Sequence, residues 1–171
     1  MDFKGQVPMR RGRRHPLTWI DDHSRFNLVL AACADETART VKACLIEAFR
    51  RYGLPWRITA DNGPPWGNGP GSPYTGLGVW LMEQDIGLGH SRPYHPQTQG
   101  KDERFHRSLK AEALSGAPFE SLDHAARHLA RWRTVYNTER PHEALGLKTP
   151  IERYSPSSRP YRETSEPFPY G

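Results

Sequence analysis

Apolar residues along the first third of the chain gather into short runs and then recur with a longer period. Residues 15–20 and 26–33, rich in Leu, Val, Trp and Ala, predict two strands. The word Asp21-Asp22-His23-Ser24 between them is turn chemistry, so the two are expected to pair as an antiparallel hairpin. Residues 1–9 are shorter and mixed, and predict a first strand. From Glu36 to Tyr52 the spacing becomes helical: Val41, Cys44, Leu45, Ala48 and Phe49 share one face, and Gly53 ends the pattern. Residues 54–60 then predict a strand that runs out at Asp61.

The second half alternates loops and helices. Residues 62–76 are crowded with Gly and Pro and predict a loop, long enough beside a candidate site to be functional rather than structural. A short helix over 77–85 and a short strand over 87–91 follow. Residues 93–100 are expected to be extended or turn-like. Helices are predicted over 101–114, with the stripe Phe105, Leu109 and Ala113, and over 121–137, with Leu122, Ala125, Ala126, Leu129, Trp132 and Tyr136. Residues 140–150 form a turn-rich connector. Beyond Tyr154 the composition is mostly Ser, Pro, Arg and Glu, so residues 1–154 are expected to form one domain and 155–171 a partly disordered tail that packs little. Strands leading into alternating helices and strands predict an α/β fold with a mixed sheet flanked by helices.

Composition narrows the choice of partner. A chain of 171 residues with 36% apolar and 25% charged positions suffices for one ordinary core. The formal charge of +5 favours a polyanionic partner. Cys33 and Cys44 are the only cysteines, too few for a disulfide framework or a zinc site, and predict buried thiols in a reducing interior. No window approaches the roughly 20 apolar residues that cross a bilayer, so a soluble, cytoplasmic protein is expected.

Three acids stand out by position: Asp2 in the first strand, Asp61 at the end of the fourth, and Glu103 near the start of a helix. If the first and fourth strands are neighbours, Asp2 and Asp61 lie side by side, and a helix crossing that edge can bring Glu103 over them. Carboxylates so grouped repel, and a hard cation with oxygen preference relieves the repulsion, which points to Mg²⁺ or Mn²⁺. Two such ions about 4 Å apart can clamp the attacking and leaving oxygens of a displacement at phosphorus. Helical spacing places Asp102 on the stripe of Phe105 and Leu109, so Asp102 is a rival to Glu103. Asp21 and Asp22 are rivals to Asp2, although a tight turn accounts for both. Arg92, Lys101, Arg104, Arg107 and Lys110 surround the third acid, where a DNA backbone would pass, and Gln97 and Gln99 could reach phosphate or base edges. Arg10, Arg11, Arg13 and Arg14 fall in a hairpin loop, where DNA contact and solubility are equally good explanations. Trp66 and Tyr74 could stack on an unpaired base or simply pack the loop.

The word Asp61-Asn62-Gly63 and the run Arg92-Pro93-Tyr94-His95-Pro96-Gln97-Thr98-Gln99-Gly100-Lys101-Asp102-Glu103-Arg104-Phe105-His106-Arg107-Ser108-Leu109-Lys110 resemble the integrase core of insertion-sequence transposases of the DDE type, relatives of retroviral integrases. Asp2-Phe3-Lys4-Gly5, the acidic turn before Phe26, Tyr136-Asn137, Arg140-Pro141-His142, Ala144-Leu145-Gly146 and Thr149-Pro150 are similar to further words of the same family in the same order. The resemblance runs from Asp2 to about Tyr154. It implies a ribonuclease-H-like, mixed five-stranded sheet, with Asp2, Asp61 and Glu103 as catalytic ligands of two Mg²⁺ or Mn²⁺ ions. It also implies cleavage and strand transfer of double-stranded DNA, element ends and target alike, during transposition, by a chain that assembles as a homo-oligomer on DNA.

The interval from Asp61 to Glu103 is longer than the family's usual spacing, and the Gly/Pro-rich loop through Gly78 would absorb the excess. Such transposases carry an N-terminal helical module that recognises element ends; nothing before Asp2 supplies one, so weak, sequence-tolerant DNA binding is expected. Two other readings are a structure-selective nuclease on the same fold and a non-catalytic DNA-binding remnant. Arg140-Pro141-His142 speaks against the first, and the presence of all three acids against the second.

Overall fold

The computed structural model describes residues 1–68, 74–90 and 96–163, and for residues 96–99 the backbone alone. The elements run β1 (Asp2–Phe3), β2 (Val7–Pro8), β3 (Arg13–Arg14), β4 (Pro16–Ile20), β5 (Asn27–Ala32), α1 (Ala38–Tyr52), β6 (Arg57–Ala60), α2 (Gly76–Glu83), β7 (Gly87–His90), α3 (Pro96–Glu112), α4 (Leu122–Thr138), a 3₁₀ turn (Glu143–Leu145) and α5 (Pro150–Arg153). β4 pairs antiparallel with both β1 and β5, aligning Asp2 with Thr18 and Thr18 with Leu30. β6 and β7 pair in parallel, Ile58 opposite Leu88. The β1-β4-β5 and β6-β7 ladders are separate, and they approach where the Met1 nitrogen donates to the Thr59 carbonyl at 2.7 Å, beside β6. The first and fourth strands, expected as neighbours, touch at Met1 and Thr59 but share no ladder among the described residues. β2 and β3 form a separate small hairpin carrying the arginine-rich loop.

Helices cover both faces of this array. On one side Val41, Leu45, Ala48 and Phe49 of α1 and Leu77 and Leu81 of α2 pack with Leu17, Trp19, Ile58 and Trp66. On the other, Phe105, Leu109 and Ala113 of α3 and Ala125, Leu129 and Tyr136 of α4 pack with Ile20 and Leu30. The helical stripes read from the sequence are the buried ones. Leu30 and Ala32 turn to one core and Ala31 to the other, as the two-residue period of a strand requires.

Local chemistry fixes the boundaries. Thr37 caps α1 by accepting from the Thr40 amide, and the Asp35 carboxylate accepts from the hydroxyls of both threonines. Gly53 ends the helix at φ +80°, and a Cβ there would lie 2.6 Å from the Ser157 carbonyl, so both the backbone and the close approach demand glycine. Ser121 caps α4.

Four expectations are corrected. The first strand is broken into β1 and β2, with Gly5 at φ +89° between them. The fourth starts at Arg57 rather than Leu54, because the Leu54 amide and Pro55 carbonyl bond instead to Arg159. α3 begins at Pro96 rather than after Gly100: proline suits a first helical turn, and the polar Gln97-Thr98-Gln99 carries no apolar period to reveal it. Finally, residues 155–163 are packed rather than loose. Ser157 donates to the Tyr52 carbonyl, the Arg159 guanidinium binds backbone carbonyls, and the Tyr161 ring reaches Phe49. Residues 164–171 lie outside the described residues.

Candidate active site

β1 and β4 position the first acid. Asp2 and Thr18 are cross-strand partners, so the Thr18 hydroxyl donates to Asp2 Oδ1 at 2.8 Å. His106 Nε2, from the middle of α3, lies 3.3 Å from the same oxygen. Burial pushes the Asp2 carboxyl up, but the bond and charge of His106, the Thr18 hydroxyl and the terminal ammonium outweigh it and hold the group below the usual carboxylate range. Asp61 follows directly on β6; its carboxylate accepts from the Asn62 amide at 2.8 Å, and its carbonyl faces His90 Nδ1 at 3.1 Å. Glu103 is exposed on α3, whereas Asp102 beside it is half-buried. Burial raises the Asp102 carboxyl above its usual range, and the charge of Asp2 adds to this.

Asp2, Asp61, Asp102 and Glu103 all line one open cavity of about 1100 Å³, together with Lys4, His90 and Lys101. The three acids read from the sequence and the rival Asp102 thus border the same cavity. Among the described residues no three His, Cys, Asp or Glu side chains stand close enough to hold one metal ion. Burial pushes the Met1 ammonium below its ordinary value, only partly countered by the nearby charges of Asp2, Asp102 and Asp61. The donor set itself, carboxylate oxygens without thiols, suits a hard divalent cation. Asp21 has a turn to explain it, since its carboxylate accepts from the Ser24 amide and hydroxyl, and Asp22 pairs with Lys101 at 2.9 Å.

The expected DNA contacts are placed unevenly. Arg104, Arg107 and Lys110 are exposed along α3, while Lys101 is half-buried in its pair with Asp22. Arg92 lies outside the described residues, and the side chains of Gln97 and Gln99 are not described. Arg10 pairs with Glu120 at 3.3 Å. Trp66 is 2% exposed and is a core residue, so it offers no face to a base; Tyr74 is 66% exposed. Sequence reasoning missed Thr18, His90 and His106, whose roles arise from cross-strand register and tertiary approach; the spacing of His106 one turn beyond Asp102 was the signal available. Cys33 is buried, and Cys44 is half-buried rather than fully enclosed.

The words near the C-terminal end make packing and capping contacts. Asn137 and Asn27 exchange two hydrogen bonds, and Arg140 makes a bidentate pair with Glu112. The His142 ring packs on Tyr136, and Thr149 with Glu152 forms a capping box on α5. No helix among the described residues is long and apolar enough to cross a membrane.

Two family profiles described as integrase core domain match residues 1–96 and 84–150. A 31.7 kDa protein of insertion element IS407 from Burkholderia multivorans is 28% identical over 145 residues, covering 84% of this chain and 50% of that protein. The transposase for insertion sequence element IS904 from Lactococcus lactis is 25% identical over 155 residues, covering 87% of this chain and 58% of that protein. The chain thus spans about half the length of these relatives. The catalytic core domain of HTLV-2 integrase, solved in complex with magnesium, superposes with a TM-score of 0.62 at 16% identity, covering 89% of this chain and 93% of that one, a likeness of the ribonuclease-H-like fold.

Proposed function

The chain belongs to the integrase core domain family, and on that premise we propose that it is the catalytic core of an insertion-sequence transposase, a polynucleotidyl transferase that cuts DNA and joins the freed end to a target. The observation that carries this reading is that Asp2, Asp61 and Glu103 line one open cavity, with Arg104, Arg107 and Lys110 exposed farther along α3, the helix that supplies Glu103. Strand cleavage and strand transfer are the same displacement at phosphorus. Water or a 3′-hydroxyl forms the new P–O bond as the bond to the departing 3′ oxygen breaks.

Asp2, Asp61 and Glu103 would together hold two divalent ions, Mg²⁺ or Mn²⁺, in the active complex, and the HTLV-2 core in complex with magnesium supports that choice. Bound there, the ions would supply positive charge at the attacking and leaving oxygens. Thr18 and His106 fix the orientation of Asp2 and prevent its carboxylate from swinging away. Arg104, Arg107 and Lys110, joined by Lys101 once it leaves Asp22, would offset the charge of phosphates drawn along α3, with Arg92, Gln97 and Gln99 extending that contact. The partner is double-stranded DNA, element ends and target, met in the cytoplasm, with more than one copy of the chain needed to hold two ends together.

Diffraction from crystals soaked in Mn²⁺ with a short DNA duplex tests the assignment. Anomalous density bounded by Asp2, Asp61 and Glu103 is expected. Density bounded by Asp102 with Glu103 turned away would move the third ligand by one residue, and density remote from Asp61 would end the reading.

A further inference from the structure

At another part of the same cavity lies an aromatic side chain that the acids do not use. Trp56 is 75% exposed, more than any other large apolar side chain among the described residues, yet it is held firmly. The Arg159 guanidinium lies over the indole 4.1 Å from the ring centroid. That guanidinium is itself fixed on three carbonyls, donating to Pro55 at 2.8 Å, Gln84 at 2.9 Å and Asp85 at 3.1 Å. The Trp56 carbonyl accepts from the Gly87 amide at 3.0 Å. One face of the ring is therefore backed by an immobilised cation, and the exposure belongs to the rest of the ring, which borders the cavity that Asp2, Asp61 and Glu103 also line.

The neighbouring residue adds charge. The Arg57 side chain lies so close against β7 that a Cβ on Gly89 would stand 2.5 Å from its Nη2. Arg57 and Thr59 occupy the exposed side of β6, which leads to Asp61. Five residues of extended chain from Trp56 to Asp61 cover roughly 17 Å, a distance that a short single-stranded extension can span. Inside a duplex each base face is covered by its neighbours, so an indole face is met by an unpaired base or, at a blunt end, by the terminal pair alone. Stacking of that kind tolerates any sequence, and a guanidinium alongside suits the phosphate that follows.

We propose that Trp56, backed by Arg159 and flanked by Arg57, is a stacking subsite for an unpaired base on a single-stranded DNA end that enters the cavity toward Asp61. The subsite rests on the reading of the chain as a DNA transposase core and adds to it a class of substrate, DNA with a short single-stranded extension.

Fluorescence anisotropy of the chain, without divalent metal, with three labelled DNAs tests this. The DNAs are a blunt duplex, the same duplex with an overhang of about six nucleotides, and that overhang made abasic. The overhang should bind at least about five-fold more tightly than either the blunt or the abasic form. Trp56→Ala should erase that ratio and Trp56→Phe should keep most of it. The abasic comparison uses the unaltered protein, so it does not depend on how any variant folds. Equal binding of all three DNAs by the wild type overturns the subsite while leaving the DNA reading standing; binding of none overturns both. An overhang preference that survives in Trp56→Ala also overturns it, and if that variant loses self-association in sedimentation, the indole is a protein contact instead.

Discussion

The outer edge of β5 is sealed by two side chains of α4, and removing them has a calculable effect. Asn27 is fully buried and Asn137 is 3% exposed. The Asn27 amide donates to Asn137 Oδ1 at 2.8 Å, and the Asn27 carbonyl accepts from Asn137 Nδ2 at 3.0 Å and Arg133 Nε at 2.7 Å. Asn137→Ala takes away the acceptor of a buried amide but leaves Arg133 on the carbonyl. One orphaned buried donor costs about 1–3 kcal/mol, and a domain of this size loses roughly 2–4 °C of melting temperature per kcal/mol. A drop of about 4–8 °C is expected, for a mid-range cost of about 2 kcal/mol. Arg133→Ala strips the same carbonyl, and that of Leu28, of one donor each. In the double variant the Asn27 carbonyl loses both donors, so the combined loss should exceed the sum of the singles by about 0.5 kcal/mol or more. Thermal melts give the temperature shifts, and urea titration of all four proteins gives the free energies for the additivity test. A drop below about 2 °C for Asn137→Ala, or strict additivity in the double, would refute the shared-carbonyl account.

Asp61→Asn and Glu103→Gln should each abolish metal-dependent nicking while leaving the melting temperature without metal equal or higher, because each removes one charge from a repulsive group; Asp102→Asn should be milder, and the reverse ranking would make Asp102 the ligand. His106→Ala frees one side of Asp2 and should raise the Mn²⁺ concentration for half-maximal nicking, with an unchanged requirement counting against a positioning role. Glu112 is held below the usual carboxylate range by its bonds to Arg140 and by Trp132. Its contribution is therefore present above the ordinary glutamate value and lost as pH falls through the lowered one. With both partners partly exposed, Glu112→Gln should cost under about 1 kcal/mol near neutrality, and denaturation curves should converge on acidification; a gap that persists in acid refutes the ion pair as its source.

Periodic packing was legible from the sequence and tertiary approach was not. Val41, Leu45 and Phe49, or Phe105 and Leu109, declare their helices because one face of each is buried against the sheet. The start of α3 at Pro96 is silent because Gln97, Thr98 and Gln99 supply no apolar period. Arg159 reads as a polar tail residue, and only the carbonyls of Pro55, Gln84 and Asp85 turn it into a fastening. The acids were found by their words, Asp61-Asn62-Gly63 and the run to Glu103, and the fold brought them to one cavity. Trp66 and Trp56 show the limit most plainly. Both directly follow a proline, yet the first is buried in the core and the second is exposed over Arg159.

The central claim, that the cavity joins DNA strands, is tested most directly by strand transfer. A short duplex labelled on the strand with the free 3′-hydroxyl is incubated with supercoiled plasmid, the chain and Mn²⁺, and the plasmid is examined for covalently attached label. The account predicts attached label with the wild type, none with Asp61→Asn and none with a chelator. Plasmid that is nicked but never labelled would make the chain a nuclease, and label attached equally well by Asp61→Asn would remove the chemistry from this site.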